Sequence, residues 1–517
     1  MNAFLRQFGS SVISTLSGWD RIRLRGSLTW LCQGKGVRRL MEQRGWGLER
    51  FRDFATGVSA ELGRCVEQAT AAAGRKLIYL QNSGQDKEAL AREIARRDQI
   101  TCGLVASFSV LENCRSFHLR KDRQGAWDLF PGPRRCLHYY HYLIHPLFGW
   151  MYLRIQSWLP MGIQVGLNGR EWLSRQMDQA GLGYLRQDNC FVHLQDPAAA
   201  QALAEQQVQF QWEPELEKLV SELAPGLAGV IAPDRLEYYW SMEQSEWACD
   251  SLFASEAELN RISPSLFRRG IEVFDSRKIL YFLGQKVPAA GRAYPRDRRA
   301  ISGSLAQRPE GRCLKHWLGS NSIKCYNKQD RIWRVEVTIN DPSPFKVPRW
   351  DENAEVKWMP MRKGVVDARR RAEVSEQACQ RYLDAQGQMQ VNTPLKELTG
   401  KLSQPLRWGK QSVRGLHLLG EEDDQLLAIV GRGEFLLNGF RNRDLQRAWF
   451  GEQSTDPKQR KRRSGQMTRK IRLLRAHGLV EKLPHTHRYQ VTAKGRQVIA
   501  AILAAGNADI AQLSNAA

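Results

Sequence analysis

The chain has 517 residues, room for three or four domains. It carries 77 Lys and Arg against 54 Asp and Glu, a formal net charge of +23. That excess points to a polyanion as partner, because each phosphate neutralised releases condensed counterions. No apolar run reaches the ~18 residues needed to span a bilayer, so no membrane role is expected. The opening Met1–Gly26 segment has neither a long apolar core nor a small-residue cleavage site and does not read as a secretory leader. Ten Cys are scattered without a C-x-x-C pair, which argues against a disulfide framework or a zinc ribbon. Buried thiols in a reducing cytoplasm are expected instead. The absence of a P-loop, and of a G-x-G-x-x-G after a strand, argues against an ATP-driven helicase and a dinucleotide enzyme.

In chain order, apolar positions at helical spacing predict helix over 37–72, a short strand at Lys76–Leu80 and a charged amphipathic helix at Asp86–Arg97. Cys102–Leu111 reads as a buried strand and Phe117–Leu129 as a hairpin turning at Arg123–Gly125. From Cys136 to Asn168 the chain is highly aromatic, and Pro146, Gly149, Pro160 and Gly162 interrupt it too often for one long helix. Three antiparallel strands are expected, followed by a helix over Gly169–Ala180; a single helix at Cys136–Ile144 is the alternative. Residues 197–223 are Ala/Gln/Glu-rich and helical. Val287–Arg312, rich in Arg, Pro, Gly and Ser, reads as a long exposed loop. A strand pair follows at Ser322–Tyr326 and Ile332–Ile339, then a prolyl break at Asn340–Trp350 and a charged helix at Val365–Ala385. The fold class expected is α+β: a mixed body with an antiparallel sheet, followed by a C-terminal winged helix-turn-helix. The domains are drawn as 1–130, an N-terminal α/β region; 131–286, a central aromatic-rich region; 287–395, a basic linker with a hairpin and a helix; and 415–517, the winged helix.

The C-terminal stretch carries the sharpest signal. Glu421–Val430 supplies a first helix and Asn442 a cap for a second at Arg443–Trp449. Thr455-Asp456-Pro457 starts a third. Ile471, Leu474 and Leu479 fall on its core side, and Gly478 suits a left-handed cap. Nine Lys and Arg lie between Lys458 and Arg475. Of the basic residues here, Arg462, Arg463, Arg469, Lys470, Arg472 and Arg475 are candidates for DNA contact, with His487 and Arg488 on the hairpin between Val480–Leu483 and Arg488–Val491. The run LLRAHGLVEKLPHTHRYQVTAKG resembles the winged-helix domains of bacterial regulators of the MarR type. That resemblance implies a basic helix in the major groove of duplex DNA and a hairpin on the flanking backbone.

Two further resemblances bear on the body. GSNSIKCYNKQDRIWRVE, at Gly319–Glu336, is similar to the hairpin of rolling-circle replication initiators, which nick one DNA strand with a tyrosine and a bound divalent metal. The match covers Ser322, Lys324, Tyr326, Asn327, Lys328, Arg334 and Glu336, and it implies Tyr326 and Glu336 as catalytic candidates. No H-x-H metal motif accompanies the hairpin. The chain as a whole resembles bacterial multicopy reading frames of mobile elements, through GFRNRDL, TRKIRLLRAHGL, THRYQ, NGREWL and the YYWS…QSEW segment.

Candidate metal ligands come from side-chain chemistry. On a helix, Glu243, Glu246 and Asp250 would share one face, and clustered carboxylates can hold the Mg²⁺ or Mn²⁺ of strand cleavage. Asp20, Glu171 and Asp188 are further acids that no spacing rule links. On a strand, His141 and His145 share a face with His138 opposite; on a helix all three line one side. The functions that follow are a DNA-binding protein of a mobile or replicative element with metal-dependent nicking or strand transfer, a non-catalytic winged-helix regulator, or an RNA-binding protein with bases stacked on an aromatic sheet.

Overall fold

The computed structural model describes residues 2–224, 237–287, 301–308, 311–350, 355–387, 395–409, 411–418, 420–452, 454–483 and 486–507. The architecture is mixed α+β, with a large and mostly antiparallel sheet. The chain forms two compact units, each assembled from separate stretches. The first comprises Leu16–Ala248 and Thr338–Glu376; the second comprises Met1–Thr15, Cys249–Val337 and Gln377–Ala517.

The chain opens with α1 (Asn2–Phe8) and β1 (Val12–Ser27). Within the first unit follow α2 (Gly34–Gln43), α3 (Phe51–Ala72), β2 (Leu77–Leu80) and α4 (Lys87–Arg97). The helical stretch expected over 37–72 holds two α-helices, parted where Gly45 takes φ +72, outside helical geometry. Next come β3 (Gly103–Lys121), β4 (Trp127–His145), β5 (Gly149–Gln156), β6 (Ile163–Asn168) and α5 (Gly169–Gln179). These are the hairpin, the aromatic strands and the helix expected from the sequence. The unit continues through β7 (Tyr184–Gln187), β8 (Cys190–Leu194), α6 (Pro197–Val208), α7 (Trp212–Leu223) and the start of β9 (Tyr239–Phe253). The strand order here is β9-β1-β6-β5-β4-β3-β2. The pairs β1–β6, β6–β5, β5–β4 and β4–β3 are antiparallel, and β2–β3 is parallel. Period-two alternation buries Ile163, Val165 and Leu167 of β6 and leaves Gln164 and Asn168 half-buried on the other face. Asn168 then caps α5 by accepting from the Arg170 and Glu171 amides.

The Tyr239–Phe253 segment is a strand rather than the helix on which the acidic triad was placed. Its Tyr, Trp and Phe content suits a pleated surface. Later in the chain the first unit adds the hairpin of β14 (Lys346–Trp350) and β15 (Val356–Pro360).

In the second unit β9 continues into α8 (Glu256–Val273) and α9 (Ser276–Phe282), then β10 (Ile301–Arg308), β11 (Gly311–Leu318), β12 (Asn321–Lys328) and β13 (Ile332–Ile339). The strand order is β10-β11-β12-β13-β9. Of the loop expected at Val287–Arg312, residues 288–300 and 309–310 lie outside the described residues. Ile301–Arg308 is instead a strand, paired with β11 from Ile301↔Leu318 to Arg308↔Gly311. A partner ladder supplies the order that its Ser/Gly/Ala/Gln composition does not announce. Helix α10 (Ala368–Gly387) sends Tyr382 and Leu383 into this core, both fully buried.

Residues 402–502 enclose an apolar cluster of their own, including Leu426, Leu427, Val430, Phe440, Leu445, Met467, Ile471, Leu474 and Val498. The elements are α11 (Leu395–Thr399), β16 (Leu406–Trp408), β17 (Gln411–Val413), α12 (Glu421–Val430), α13 (Gly433–Asn438), β18 (Phe440–Arg441), α14 (Asn442–Phe450), α15 (Pro457–Ala476), β19 (Val480–Lys482), β20 (Arg488–Val491) and α16 (Ala493–Asn507). The three short strands pair in the order β18-β20-β19. Among the described residues no helix is long and apolar enough to cross a membrane. All ten Cys are free thiols; Cys32 and Cys102 are exposed, Cys114 is half-buried and the rest are buried.

Candidate nucleic-acid interface and polar cleft

Helix α15 begins where Asp456 accepts from the Lys458 and Gln459 amides, and it carries Pro457 in its first turn. It ends at Gly478, which has φ +72 and donates its amide to the Arg475 carbonyl. Its C-terminal half is anchored in the core by Met467, Ile471, Leu473 and Leu474, whereas no residue from Pro457 to Gln466 is buried. At 100° per residue, Lys458, Lys461, Arg462, Gly465, Arg469 and Arg472 share the face opposite Met467, Ile471 and Leu474. Lys458, Lys461, Arg462 and Arg469 are exposed. Nothing lies within 4 Å of the position a Gly465 side chain would occupy.

Lys470 belongs elsewhere and corrects the expectation that it reaches a groove. It is 7% exposed, its Nζ sits 2.7 Å from Glu422 Oε1, and it lies 4.1 Å over the Trp449 ring. Helical spacing puts residue 470 nearer to Met467 and Leu474 than to Arg469. Arg472 and Arg475 are half-buried, with their guanidiniums 5.8 and 5.2 Å from the Trp408 ring centroid. Trp408 sits in β16, well outside the basic run, so no local pattern announced it. Arg463 stacks 4.8 Å over Phe450 and donates to the Glu452 carbonyl. Asn442 is the first residue of α14 rather than its cap; its amide donates to Ser464 O and Thr468 Oγ1 and ties α14 to α15. On the hairpin after α15, His487 is exposed and Arg488 half-buried.

The first unit holds a polar cleft of about 590 Å³. Strand β1 contributes Arg21 and Arg23, α4 Glu88 and Arg92, and β5 Trp150 and Tyr152. Glu171, Arg186, Asp188, Asn189 and Glu246 add to its polar lining. Arg92 lies 4.4 Å over Trp150 and pairs with Glu88 at 2.8 Å; Arg186 pairs with Glu171 at 2.5 Å. Asp188 takes φ +51 at the tip of the β7–β8 hairpin, beside Asn189, whose side-chain amide donates to the buried Asp20. Carboxylate oxygens of Asp20 and Glu246 approach within 4.8 Å of one another. Two such oxygens are a set that could hold a Mg²⁺-like cation, which keeps several of its own waters. Glu171 and Asp188, which no sequence rule linked to Glu246, line the same cleft.

The acidic set read from the sequence does not converge. Along the strand about 10 Å separates Glu243 from Glu246 and about 13 Å separates Glu246 from Asp250, too far for shared ligation. Glu243 instead pairs with Arg25 at 3.3 Å and accepts from Gln164. Asp250 is buried and forms a bidentate pair with the buried Arg334, at 2.6 and 2.8 Å. The histidines do not converge either. His141 is fully buried with Nδ1 2.9 Å from Ser107 Oγ, and His138 lies on the opposite face against the Cys136 carbonyl. His145 Nδ1 accepts from the Leu147 and Phe148 amides. Burial holds His138 and His141 neutral, each pushed down to about 4.

The β12–β13 hairpin does bring its two candidates together. The half-buried Tyr326 donates its hydroxyl to Glu336 Oε2 at 3.0 Å. Glu336 is 1% exposed, and Lys324 Nζ lies 2.7 Å from its other oxygen. Burial alone would raise the Glu336 carboxyl, but the Lys324 ammonium, Arg334 and the Tyr326 hydroxyl hold it below the usual range.

No protein-family model matches the chain, and comparisons with curated proteins and with solved structures find no match.

Proposed function

We propose that the chain is a duplex-DNA-binding protein of a bacterial mobile or replicative element, and that its C-terminal residues act as a winged helix-turn-helix. The observation that carries this reading is the exposed basic face of α15. Lys458, Lys461, Arg462 and Arg469 stand clear of the core, on a helix fixed by an anchor on the other side. The element order supports it too. A helix, a short strand, two helices and a two-stranded hairpin, with the strands in the order β18-β20-β19, is the arrangement in which the last of those helices enters a major groove and the hairpin flanks it. The test is the salt dependence of duplex binding by the full chain. R462A/R469A should flatten the slope of log affinity against log salt by about 1 per arginine. A chain that prefers single-stranded RNA, or that binds duplex DNA with no salt dependence, defeats the reading.

A second reading, strand nicking, is favoured by the 3.0 Å contact between Tyr326 and Glu336. The Tyr326 oxygen would attack a phosphodiester phosphorus, Glu336 would take the phenolic proton, and the displaced sugar oxygen would leave as the new strand end. Incubation with supercoiled plasmid and Mg²⁺ or Mn²⁺ tests it. The wild type should give open circles with protein joined to one end, and Y326F should give none while binding DNA normally. Without nicking by the wild type, the non-catalytic regulator remains.

A further inference from the structure

Beside the exposed face of α15 lies a second basic feature of the C-terminal module. Helices α14 and α15 touch through Asn442 and through Phe450 and Arg463, and a cleft of about 830 Å³ lies beside these contacts. Arg443 and Arg447, one helical turn apart on α14, line one wall, and Arg460 and Arg463 of α15 line the other. Four guanidiniums therefore meet only two carboxylates there, Asp444 and Glu452. Asp444 is already engaged, accepting the Arg441 amide at 2.8 Å and lying 3.8 Å from Arg443. Arg463 is held by Phe450 and the Glu452 carbonyl. Arg447 and Arg460 have no ion-pair or hydrogen-bond partner for their side chains among the described residues. Two cations pointing into one cleft repel each other, and a bound anion relieves that repulsion.

We propose that this cleft is a phosphodiester-binding site, taking a backbone phosphate of nucleic acid between Arg447 and Arg460. The proposal rests on the DNA-binding reading but uses different residues. Arg460 and Arg462 lie two positions apart on α15 and point to different sides, so the cleft and the exposed face grip different phosphates. Guanidinium forks suit phosphate oxygens, and a contact confined to the backbone carries no sequence preference.

The experiment is duplex binding by the full chain across a salt series, for the wild type, R447A/R460A and R462A/R469A. R447A/R460A should lower the slope of log affinity against log salt by about 1, the loss of one phosphate contact, equally for unrelated duplex sequences. Its circular dichroism should match the wild type, because both side chains are exposed. If R462A/R469A loses slope and R447A/R460A keeps it, the cleft proposal is overturned while the DNA-binding reading stands. If R447A/R460A weakens one sequence more than another, the cleft reads bases and the proposal is overturned as well. A wild type that does not bind duplex DNA overturns both.

Discussion

Lys470 and Glu422 close a 2.7 Å ion pair that joins α15 to α12 and roofs the Trp449 ring with an ammonium. One of the nine cations in the basic run thus works inside the fold. Its neighbour Arg469, one residue earlier, is exposed and carries no such contact. Lys470→Ala should cost about 1 kcal/mol of stability, the scale of a partly buried cation–ring contact. It should leave the salt slope of DNA binding unchanged. Urea melts and the binding series together check this; a lost slope with unaltered stability would put Lys470 back on the interface.

Gly465→Ala should act in opposite directions on folding and on binding. An interior helix glycine costs about 1 kcal/mol relative to alanine, and here no neighbour would be crowded by the new methyl group. The variant should therefore melt higher. It should also bind duplex DNA more weakly, because Gly465 lies amid Arg462 and Arg469 on the face that approaches the partner. Equal or tighter binding by G465A would mean that this part of the helix stays clear of DNA.

Asp250 should behave as a structural anchor rather than a metal ligand. Asp250→Ala leaves the buried Arg334 guanidinium without its bidentate partner, which costs about 3–5 kcal/mol. The loss should be the same with and without Mg²⁺. Asp250→Ala/Arg334→Met should recover part of it. A loss that appears only when Mg²⁺ is present would restore Asp250 as a ligand.

Mg²⁺ or Mn²⁺ should instead respond to Glu246. If the Asp20–Glu246 pair holds a cation, millimolar Mn²⁺ should raise the melting temperature of the wild type and not that of Glu246→Gln. Equal shifts in both proteins would exclude the pair as the binding point.

Three buried histidines make a pH prediction. His138 and His141 are pushed down to about 4 and His316 to about 3, in each case chiefly by burial. Unfolded, each takes a proton near 6.5; folded, each stays neutral until far lower pH. The unfolded chain therefore binds more protons as pH falls from 6.5 toward 4, and stability drops over that window by up to ~1.4 kcal/mol per pH unit per histidine. Urea midpoints between pH 7 and pH 4.5 measure the slope, and His141→Gln should remove about one proton from it.

The C-terminal module was legible because its signals are local. A proline and an aspartate start α15, Gly478 stops it, and three apolar residues at helical spacing face inward. The nature of Lys470 was not legible, because its partners Glu422 and Trp449 are set by tertiary packing. In the body, Pro146, Gly149, Pro160 and Gly162 marked the ends of β4, β5 and β6. The segment around Glu246 was misread because i, i+3, i+7 spacing of acids says nothing about backbone, while Tyr238, Tyr239, Trp240 and Trp247 beside them favour a strand. The cleft was invisible for another reason. Glu171 on α5, Asp188 in the β7–β8 turn and Glu246 on β9, with Asp20 of β1 close to Glu246, are far apart in sequence and brought together only by tertiary packing.

The assembly of the second unit from both chain ends sets a timetable for its synthesis. Ala3 donates its amide to Asp384 Oδ1 at 2.8 Å across 381 residues, and Phe4 is wholly buried. At 5–20 residues per second, the N-terminal helix leaves the ribosome roughly 20–75 s before its partner exists. For that interval the Ala3 amide lacks its native acceptor, and this contact closes only after 381 further residues have been added.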